Sequence, residues 1–427
     1  MLGRKAKEIV KKTKTGLFSL SRNYELTAEE VKPARAYIRA YWKKLERYNP
    51  KDEGSLIGLP NPYLVPASEE GHEFDFNEMY YWDTYFMVQG MLDAEHKDLV
   101  IGMLENIESM LERFHVVPNA SRNYLMGRSQ PPLLTSYIFD VYHAYNLGRD
   151  WLKDHIEIAK QEYQTVWMGP AKPHWRQVYQ GLSRYYDINM LHDLAEAESG
   201  WDMTPRFNRR ALDYLPVDLN ALLYKYEMDF AAAARIFDNK REQAKWELAA
   251  KERAKTMNKL MWDKSRGLYY DYNYVKKKRG SVSSLAAYFP MWAGMVDGRQ
   301  AQLMVKALRR FENKGGLATT DALPLAQYVP GSLPTQWAHP NGWAPLHFIV
   351  IKGLQRYGYN EDAKRIAIKW LKTNLDWFNN HAVFLEKYNV VNPEKPPVRG
   401  VYPSQVGFGW TNAIFERLCQ EFIDKRI

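Results

Sequence analysis

Stretches with helical periodicity recur along almost all of this 427-residue chain, and this recurrence limits the folds it can adopt. A capping box, Thr27-Ala28-Glu29-Glu30, predicts a helix that begins there and extends to about Tyr48. Pro131-Pro132 predicts the start of another helix, through about Asn146. The clearest stretch places apolar residues on one helix face at the 3, 4 spacing: Val100, Met103, Leu104, Ile107, Met110, Leu111 and Phe114.

The remaining patterns extend this series to about a dozen helices, while strand signals are few and short, as at 267–272. No fixed-period repeat is visible, which disfavours a two-domain solenoid, the main alternative. We therefore expect one all-α domain of helical hairpins over 25–427. The further helices are expected from about Thr84 and at about 151–167, 174–195, 219–237, 240–261, 282–295, 298–312, 344–357, 360–378 and 408–424.

Charge and cysteine content exclude several classes of function. Much of the formal charge of +9 lies in residues 1–22, which hold seven Lys or Arg and one Glu. The rest is near neutral, which disfavours a nucleic-acid partner. We expect residues 1–24 to be a basic arm, either solvated or in contact with an acidic surface. No apolar run reaches the roughly 20 residues of a membrane span, and the single Cys419 fits a reducing, cytoplasmic location.

The stretch from Glu196 to Arg206 interrupts the helical pattern and presents Trp201 and Asp202 on a loop. Gly200 and Pro205 are poor helix formers, so neither flanking helix can continue through it. An aromatic face beside a carboxylate and several arginines suits a sugar. The alternative is a loop whose aspartate caps the next helix. The arginines that follow are Arg206, Arg209 and Arg210.

Five loops of this kind, each combining Trp with a carboxylate, amide or guanidinium, predict a polar, aromatic pocket at one end of the bundle. No phosphate-binding glycine loop and no zinc-ligand spacing is present, so we expect no metal and no cofactor. Paired carboxylates remain, and glycoside hydrolysis requires such a pair. The loops lie at 80–86, 117–132, 198–202, 336–345 and from 384–389 to 405–412.

Over residues 64–412 the chain resembles the trehalases, family 37 of the glycoside hydrolases. The resemblance rests on a combination of motifs that occur in the same order. These motifs are Trp82-Asp83, Pro118-Asn119, Arg128-Ser129-Gln130-Pro131-Pro132, Glu198-Ser199-Gly200-Trp201-Asp202, Pro216-Val217-Asp218-Leu219-Asn220, Gln336-Trp337, Pro340-Asn341-Gly342-Trp343-Ala344-Pro345, Glu386-Lys387-Tyr388 and Gly407-Phe408-Gly409-Trp410-Thr411-Asn412.

The resemblance implies an (α/α)6 toroid with its active site in loops at one end. It also implies cofactor-free hydrolysis of a small neutral disaccharide with inversion at the anomeric carbon, and we expect a monomer. Asp202 would be the general acid and Glu386 the general base, although Glu386 could instead be a surface glutamate beside Lys387. The residues expected to contact sugar are Trp82, Asp83, Asn119, Arg128, Ser129, Gln130, Gly200 and Trp337.

Two physical expectations follow from these assignments. The carboxyls of an inverting pair should lie roughly 6.5–9.5 Å apart. A general acid must hold its proton, so the pKa of Asp202 should be raised by the surrounding tryptophans, with Arg206 or Arg128 opposing.

Several residues depart from the family pattern. Asp75 stands where an arginine is usual, Ala338 replaces an aspartate, and Val401 replaces a glutamate. An Arg-Pro-Glu segment has no equivalent between Trp167 and Leu194. Trehalose should therefore be a weaker substrate, and a sugar-binding protein with little catalysis is an alternative. A phosphorylated sugar is another, suggested by the basic run 276–279, which otherwise reads as a solvated hairpin tip.

Overall fold

The protein is described by a computed structural model over residues 25–68, 76–169, 175–322, 335–400 and 402–424. The predicted basic arm, 1–24, lies outside the described residues. Short helical turns also occur at Asn123–Leu125, Tyr163–Trp167, Ala211–Asp213, Leu285–Tyr288 and Leu308–Arg310. The α-helices are α1 (Ala28–Leu45), α2 (Tyr81–Val88), α3 (Lys97–Phe114), α4 (Leu134–Ala144), α5 (Arg149–Glu162), α6 (His192–Ala197), α7 (Val217–Ile236), α8 (Lys240–Leu260), α9 (Phe289–Trp292), α10 (Gly298–Ala307), α11 (Ala344–Arg356), α12 (Asn360–His381) and α13 (Gly409–Phe422).

The β structure consists of short antiparallel pairs in the connections between helices. No strand in the described ranges exceeds three residues, so the expected all-α class is confirmed. The pairs are β1–β2, β3–β4, β6–β7, β10–β11 and β12–β13, together with the three-stranded β5–β8–β9. The strands are β1 (Glu46–Arg47), β2 (Tyr63–Leu64), β3 (Gln177–Tyr179), β4 (Leu182–Ser183), β5 (Tyr214–Leu215), β6 (Trp262–Asp263), β7 (Leu268–Tyr269), β8 (Tyr272–Asn273), β9 (Lys278–Arg279), β10 (Glu312–Asn313), β11 (Gly316–Leu317), β12 (Asn341–Trp343) and β13 (Lys387–Asn389).

Six helices form an inner ring. Helices α4, α7, α9, α11 and α13 pack against one another in that order, and α13 packs against α2. Between α2 and α4, the Tyr81 hydroxyl accepts a hydrogen bond from the backbone N of Leu134 at 3.1 Å, and Gln89 Nε2 donates to Asp140 Oδ2 at 2.9 Å. Helices α1, α3, α5, α8, α10 and α12 alternate with these along the chain as an outer layer. The arrangement is the expected (α/α)6 toroid.

The position of a helix in the two layers follows from its sequence. All eight residues of α2, an inner helix, are buried. The outer helix α3 buries the apolar face that its 3, 4 spacing predicted. The capping box at the start of α1 is also confirmed, since Thr27 Oγ1 accepts from the backbone N of Glu30 and Glu30 Oε2 accepts from that of Thr27. Among the described helices, none combines the length and apolar character needed to cross a bilayer.

The inner helices begin at the same end of the ring, so the loops that precede them meet there. The backbone N of Trp82, in the first turn of α2, donates to the side-chain oxygen of Gln130, which precedes α4, at 2.9 Å. Trp343, the residue before α11, lies 5.9 Å from Trp410 in the first turn of α13, measured between ring centroids. This packing gathers the predicted loops at one end.

Three predicted helices are wrong in whole or in part. The helix expected at 282–295 consists of the short helical turn Leu285–Tyr288 and the four-residue α9. Residues 174–195 were expected to be one helix, but the described part contains the β3–β4 hairpin and only the short α6. Gln180 and Gly181 both have positive φ, +49° and +80°, and two such residues form the tight turn that joins antiparallel strands. Helix α4 begins at Leu134, three residues after Pro131, because a residue before proline is held in extended geometry.

Candidate active site

The loop that carries Asp202 turns sharply at Gly200. Gly200 has a φ of +72°, which favours glycine. A Cβ there would lie 2.5 Å from Trp82 Cε2, so the bare Cα lets the loop lie directly against the tryptophan ring. The structure thus places Gly200 against Trp82, which lies in the first turn of α2.

Hydrogen bonds hold the backbone on both sides of Asp202. Gln336 Nε2 donates to the carbonyl of Asp202 at 2.7 Å, and the backbone N of Trp337 donates to the carbonyl of Met203 at 3.1 Å. The backbone N of Thr204 donates to Glu196 Oε1 at 2.7 Å. The carboxyl of Asp202 is therefore presented from a fixed loop, which caps no helix, contrary to the alternative interpretation.

Tryptophan rings form the wall beside Asp202. Trp337 stacks on Trp343 with ring centroids 3.6 Å apart and an angle of 4° between the planes. Its ring also lies 5.5 Å from Trp201, 5.7 Å from Trp82 and 6.0 Å from Trp410. These rings leave little polar surface around the loop.

Burial in this environment, together with the charge of the nearby Glu386, raises the pKa of Asp202 to about 7. A backbone hydrogen bond at Asp202 and the Lys387 ammonium act in the opposite direction. The direction predicted for Asp202 is confirmed. The opposing groups differ from those expected, which were Arg206 and Arg128.

Glu386 is buried next to strand β13, so its interpretation as a surface glutamate is wrong. The pairing of β12 with β13 sets Trp343 opposite Lys387 and thereby fixes Glu386. Glu386 Oε2 accepts from Lys387 Nζ at 2.6 Å, and Oε1 accepts from the Tyr402 hydroxyl at 3.3 Å. Its backbone carbonyl accepts from Trp410 Nε1 at 3.0 Å.

Asp83 is a third carboxyl in the same region. Burial raises its pKa well above the ordinary range, and the charges of Asp202 and Glu386 add to this effect. Gln130 uses its side chain twice, accepting from the backbone N of Trp82 and hydrogen-bonding to Asp83. Asp83 and Gln130, both predicted site residues, therefore lie beside the two candidate catalytic carboxyls.

The segment 119–129 forms another wall. Asn119 Nδ2 donates to the carbonyl of Ser129 at 3.0 Å, and Ser129 donates its backbone N to Glu198 Oε1 at 2.7 Å. Arg128 pairs with Asp187 at 3.1 Å. The Ser129 hydroxyl and Arg128 Nε are buried and have no hydrogen-bond partner among the described residues.

The arginines after Asp202 do not line this site, which corrects the sequence interpretation. Arg206 is buried in ion pairs with Asp218 at 2.7 Å and Asp271 at 2.8 Å, and its guanidinium lies 4.3 Å from the Trp201 ring centroid. Arg209 and Arg210 pair with aspartates near the surface, Asp193 and Asp213. Arg206 therefore packs against the Trp201 ring and is held there by its two aspartates.

The residues that depart from the family pattern are only partly described. Asp75 and Val401 lie outside the described residues. Ala338 is buried, and its carbonyl accepts from the backbone N of Asn341 at 2.9 Å. The basic run 276–279 forms an exposed hairpin of β8 and β9, as the solvated interpretation expected.

Sequence reasoning missed three residues that the structure brings to the site: Gln336, Lys387 and Tyr402. A lysine directly after a glutamate is typical of a surface segment, but the Lys387 side chain is fully buried. The rings of Trp343 and Tyr402 lie beside it in the fold, and its sequence neighbours do not indicate them. For Gln336 the only signal was its place in a recognised motif.

The sequence matches the Trehalase family over residues 5–192 and 186–422. The cytosolic neutral trehalase of Kluyveromyces lactis is 31% identical over 433 residues, covering 85% of this chain and 56% of the relative. That of Emericella nidulans is 32% identical over 453 residues, covering 87% and 59%. The chain thus spans little more than half the length of these relatives.

Solved structures agree in fold. The neutral trehalase Nth1 from Saccharomyces cerevisiae superposes with a TM-score of 0.73 at 30% identity, covering 90% of this chain and 79% of that one. The GH63 mannosylglycerate hydrolase from Thermus thermophilus gives 0.67 at 16% identity, with 90% and 99% covered, which supports the fold alone. From the match over most of its length, together with the toroid and its loops, the chain belongs to the trehalase family.

Proposed function

We propose that the chain is an inverting glycoside hydrolase that cleaves trehalose or a related α-glucoside and releases glucose. The observation that carries the proposal is the contrast between two buried carboxyls that lie close enough for their charges to interact. Asp202 lies among tryptophans, where burial favours its protonated form, whereas Glu386 forms an ion pair with Lys387. An acid that holds its proton beside a base that has lost one is the pair that glycoside hydrolysis requires.

In the proposed reaction Asp202 gives its proton to the glycosidic oxygen as the bond from that oxygen to the anomeric carbon breaks. Glu386 removes a proton from a water molecule, whose oxygen bonds to the same carbon from the opposite face. Asp202 ends ionised and Glu386 ends protonated, and proton exchange with solvent restores both. The expected separation of the two carboxyls, roughly 6.5–9.5 Å, leaves room for that water.

The other predicted residues are proposed to hold the sugar. The Trp82 and Trp337 rings would cover its apolar face, while Asp83, Asn119 and Gln130 would meet hydroxyl groups. The buried Ser129 hydroxyl and Arg128 Nε support this, because an unpaired buried donor is costly unless a ligand satisfies it. Gly200 would act by permitting the close approach of its loop to Trp82.

The anomeric form of the product tests the proposal directly. Trehalose has two α-linked glucose units, so an inverting enzyme releases one β-glucose and one α-glucose. Proton NMR at early times, before mutarotation, should therefore show the two forms in equal amounts. A retaining enzyme would give α-glucose only, which would contradict the assignment of Glu386 as a base that activates water.

A panel of α-linked disaccharides, with glucose release measured for each, tests the substrate. We expect trehalose to be cleaved with a kcat/KM at or below the low end of the ~10⁴–10⁸ M⁻¹s⁻¹ range usual for enzymes. The replacement of an aspartate by Ala338 motivates this, since a lost polar contact weakens substrate binding. It also favours the second candidate, a sugar-binding protein, for which calorimetry would detect binding while no sugar on the panel is cleaved.

We further propose that residues 25–427 form one catalytic domain that works as a monomer in the cytosol. One continuous apolar core from Leu26 to Cys419 supports a single domain. The relatives named as cytosolic neutral trehalases support the location. Light scattering at the mass of 50.1 kDa would agree with a monomer, and limited proteolysis giving two stable fragments would contradict one domain.

A further inference from the structure

Three carboxyls in the site, those of Asp83, Asp202 and Glu386, lie close enough for their charges to interact. Carboxylates that share a buried site cannot all be ionised without a large cost. The proposed reaction nevertheless requires a defined pattern, with Asp202 protonated and Glu386 ionised. Some fixed feature of the site must therefore decide which carboxyl carries the charge.

Lys387 is the cation in direct contact with this group within the described part of the chain. Its Nζ lies 2.6 Å from Glu386 Oε2, and both side chains are buried, at 0% and 2% exposure. It makes no ion pair with Asp202 or Asp83. A contact this short between oppositely charged buried groups favours the ionised form of the carboxyl it touches over the other two.

Aromatic rings hold the ammonium group in this position. Lys387 Nζ lies 5.0 Å from the centroid of the Trp343 ring and 5.8 Å from that of Tyr402. Ring faces attract cations at such distances. Because Trp343 is paired with Lys387 across β12 and β13, the same two strands fix both the ring and the ammonium.

Titratable groups face Glu386 from three neighbouring segments, while α13 contacts it through Trp410 and Thr411, which do not titrate. The Tyr402 hydroxyl donates to Oε1 at 3.3 Å, Asp202 approaches on its loop, and Asp83 approaches from α2. All three can only add negative charge when they ionise. Among the described residues Lys387 is the cation in contact with Glu386, and it binds the oxygen that Tyr402 does not.

We propose that Lys387 is a positioning residue that keeps Glu386 as the ionised carboxylate of the site and engages its Oε2, so that Oε1, which accepts from the Tyr402 hydroxyl at 3.3 Å, keeps a second lone pair for the attacking water. This inference rests on the proposed function of Glu386 as base. It also explains how charge is handled during the reaction. Before the reaction the anion is Glu386 and afterwards it is Asp202, so this pair carries one negative charge throughout, and the Lys387 ammonium, which also acts on Asp202, offsets it in both states.

The test compares Lys387→Met, Lys387→Gln and Lys387→Arg by the pH dependence of kcat/KM. Without the ammonium, Glu386 should hold its proton to higher pH, so the acidic limb should move up by about one pH unit or more. The rate at the optimum should fall about 10²-fold. Lys387→Arg keeps the charge and should leave the limb within about half a unit, with a smaller loss of rate.

Lys352→Met is the matched control. Lys352 pairs with Glu421 at 2.6 Å in a partly buried lysine–glutamate pair, formed by α11 and α13 away from the site loops. This variant should unfold more easily yet keep the wild-type pH profile. An acidic limb that stays in place in Lys387→Met and Lys387→Gln, or that moves equally in Lys352→Met, would overturn the proposal.

A second measurement separates failure of this inference from failure of the proposed function. Carboxyl ¹³C NMR of the full chain with labelled glutamate follows the titration of Glu386 and needs no turnover, with Glu386→Gln assigning the signal. A raised Glu386 midpoint in Lys387→Gln supports the inference even if the wild type hydrolyses no α-glucoside. An unchanged midpoint overturns it even if trehalose is cleaved.

Discussion

Two groups of charged side chains, one at each end of the helical ring, balance their charges differently. At the active-site end three carboxyls interact with one another, and one lysine contacts one of them. Toward the other end, in a partly buried group within the inner helices, three acids lie near three cations among the described residues. The first group is Asp83, Asp202, Glu386 and Lys387. The second is Asp140, Asp229 and Glu421 with Lys225, Lys352 and Arg417.

The difference shows how one fold serves two purposes. Paired charges at the end opposite the active site, such as Lys352 with Glu421 and Lys225 with Asp229, link neighbouring turns and helices and need not change protonation. The excess carboxyls at the active-site end cannot all be ionised together. At least one of them must retain a proton near neutral pH, and a retained proton is what a general acid needs.

The largest expected effect is the loss of that proton donor. Asp202→Asn and Glu386→Gln keep the shape of each side chain but remove the acid or the base, so each should lower kcat by about 10³-fold or more. Sugar binding measured by calorimetry should persist. Asp140→Asn removes an acid at the end opposite the active site and should leave kcat within about threefold of the wild-type value. An Asp202→Asn enzyme close to the wild-type rate would mean that another residue is the acid.

The next effect concerns pH and stability. Burial raises the pKa of Glu196 to about 8, above its unfolded value near 4.5. The folded state therefore binds more protons, and this group's stabilising contribution, complete below pH 4.5, is lost as pH rises toward 8. In Glu196→Gln the side-chain oxygen can still accept the hydrogen bond from the backbone N of Thr204. Between pH 5 and pH 8 this variant should lose roughly 2–4 kcal/mol less unfolding free energy than the wild type loses. Urea titrations of both proteins at both pH values measure this difference, and equal losses would contradict the prediction.

A smaller effect separates backbone strain from contact at the site. Gly200→Ala combines a positive φ with a Cβ 2.5 Å from Trp82, whereas Gly181→Ala has a similar φ of +80° and nothing within 4 Å. Both should lose about 1 kcal/mol from strain, and Gly200→Ala a further 1–3 kcal/mol from the clash. Activity should fall only in Gly200→Ala. Equal losses in urea denaturation would show that the loop moves away from Trp82 easily.

The smallest effect on activity is expected at the exposed hairpin 276–279, whose residues belong to neither of the two groups of charges. Replacing Lys276, Lys277 and Lys278 by glutamine should change kcat/KM by less than about twofold, because exposed charges are screened. Both trehalose and a phosphorylated α-glucoside should be assayed at low salt. A selective loss on the phosphorylated sugar would instead support the alternative substrate.

The helical layers were largely predictable because their signal is local. The apolar spacing of α3 and the capping box of α1 each lie within a few turns of chain, and both were confirmed. The β3–β4 hairpin was missed because Gln180 adopts a positive φ, a conformation that the residue type glutamine does not predict. Its turn depends on Gly181 and on the pairing of the two strands.

The site was predicted in part, and its chemical roles remain predictions. Motif positions identified Asp202 and Glu386, and the fold brings both close enough for their charges to interact. Arg206 was misassigned because its partners, Asp218 and Asp271, lie 12 and 65 positions later in the chain, outside the local motif. The burial of Lys387 depends on Trp343, 44 positions earlier in the sequence, and long-range pairing of this kind has no local signal.

Closure of the ring between α13 and α2 has a consequence for how the protein is made. Arg35 of α1 pairs with Glu416 of α13, 381 positions later in the chain. A ribosome adding roughly 5–20 residues per second needs roughly 20–80 s to cover that distance. During this time the apolar faces of α1 and α2 that α13 will cover stay open to water and to other nascent chains. Aggregation of this half-built ring is therefore a risk that the stability of the finished toroid does not remove.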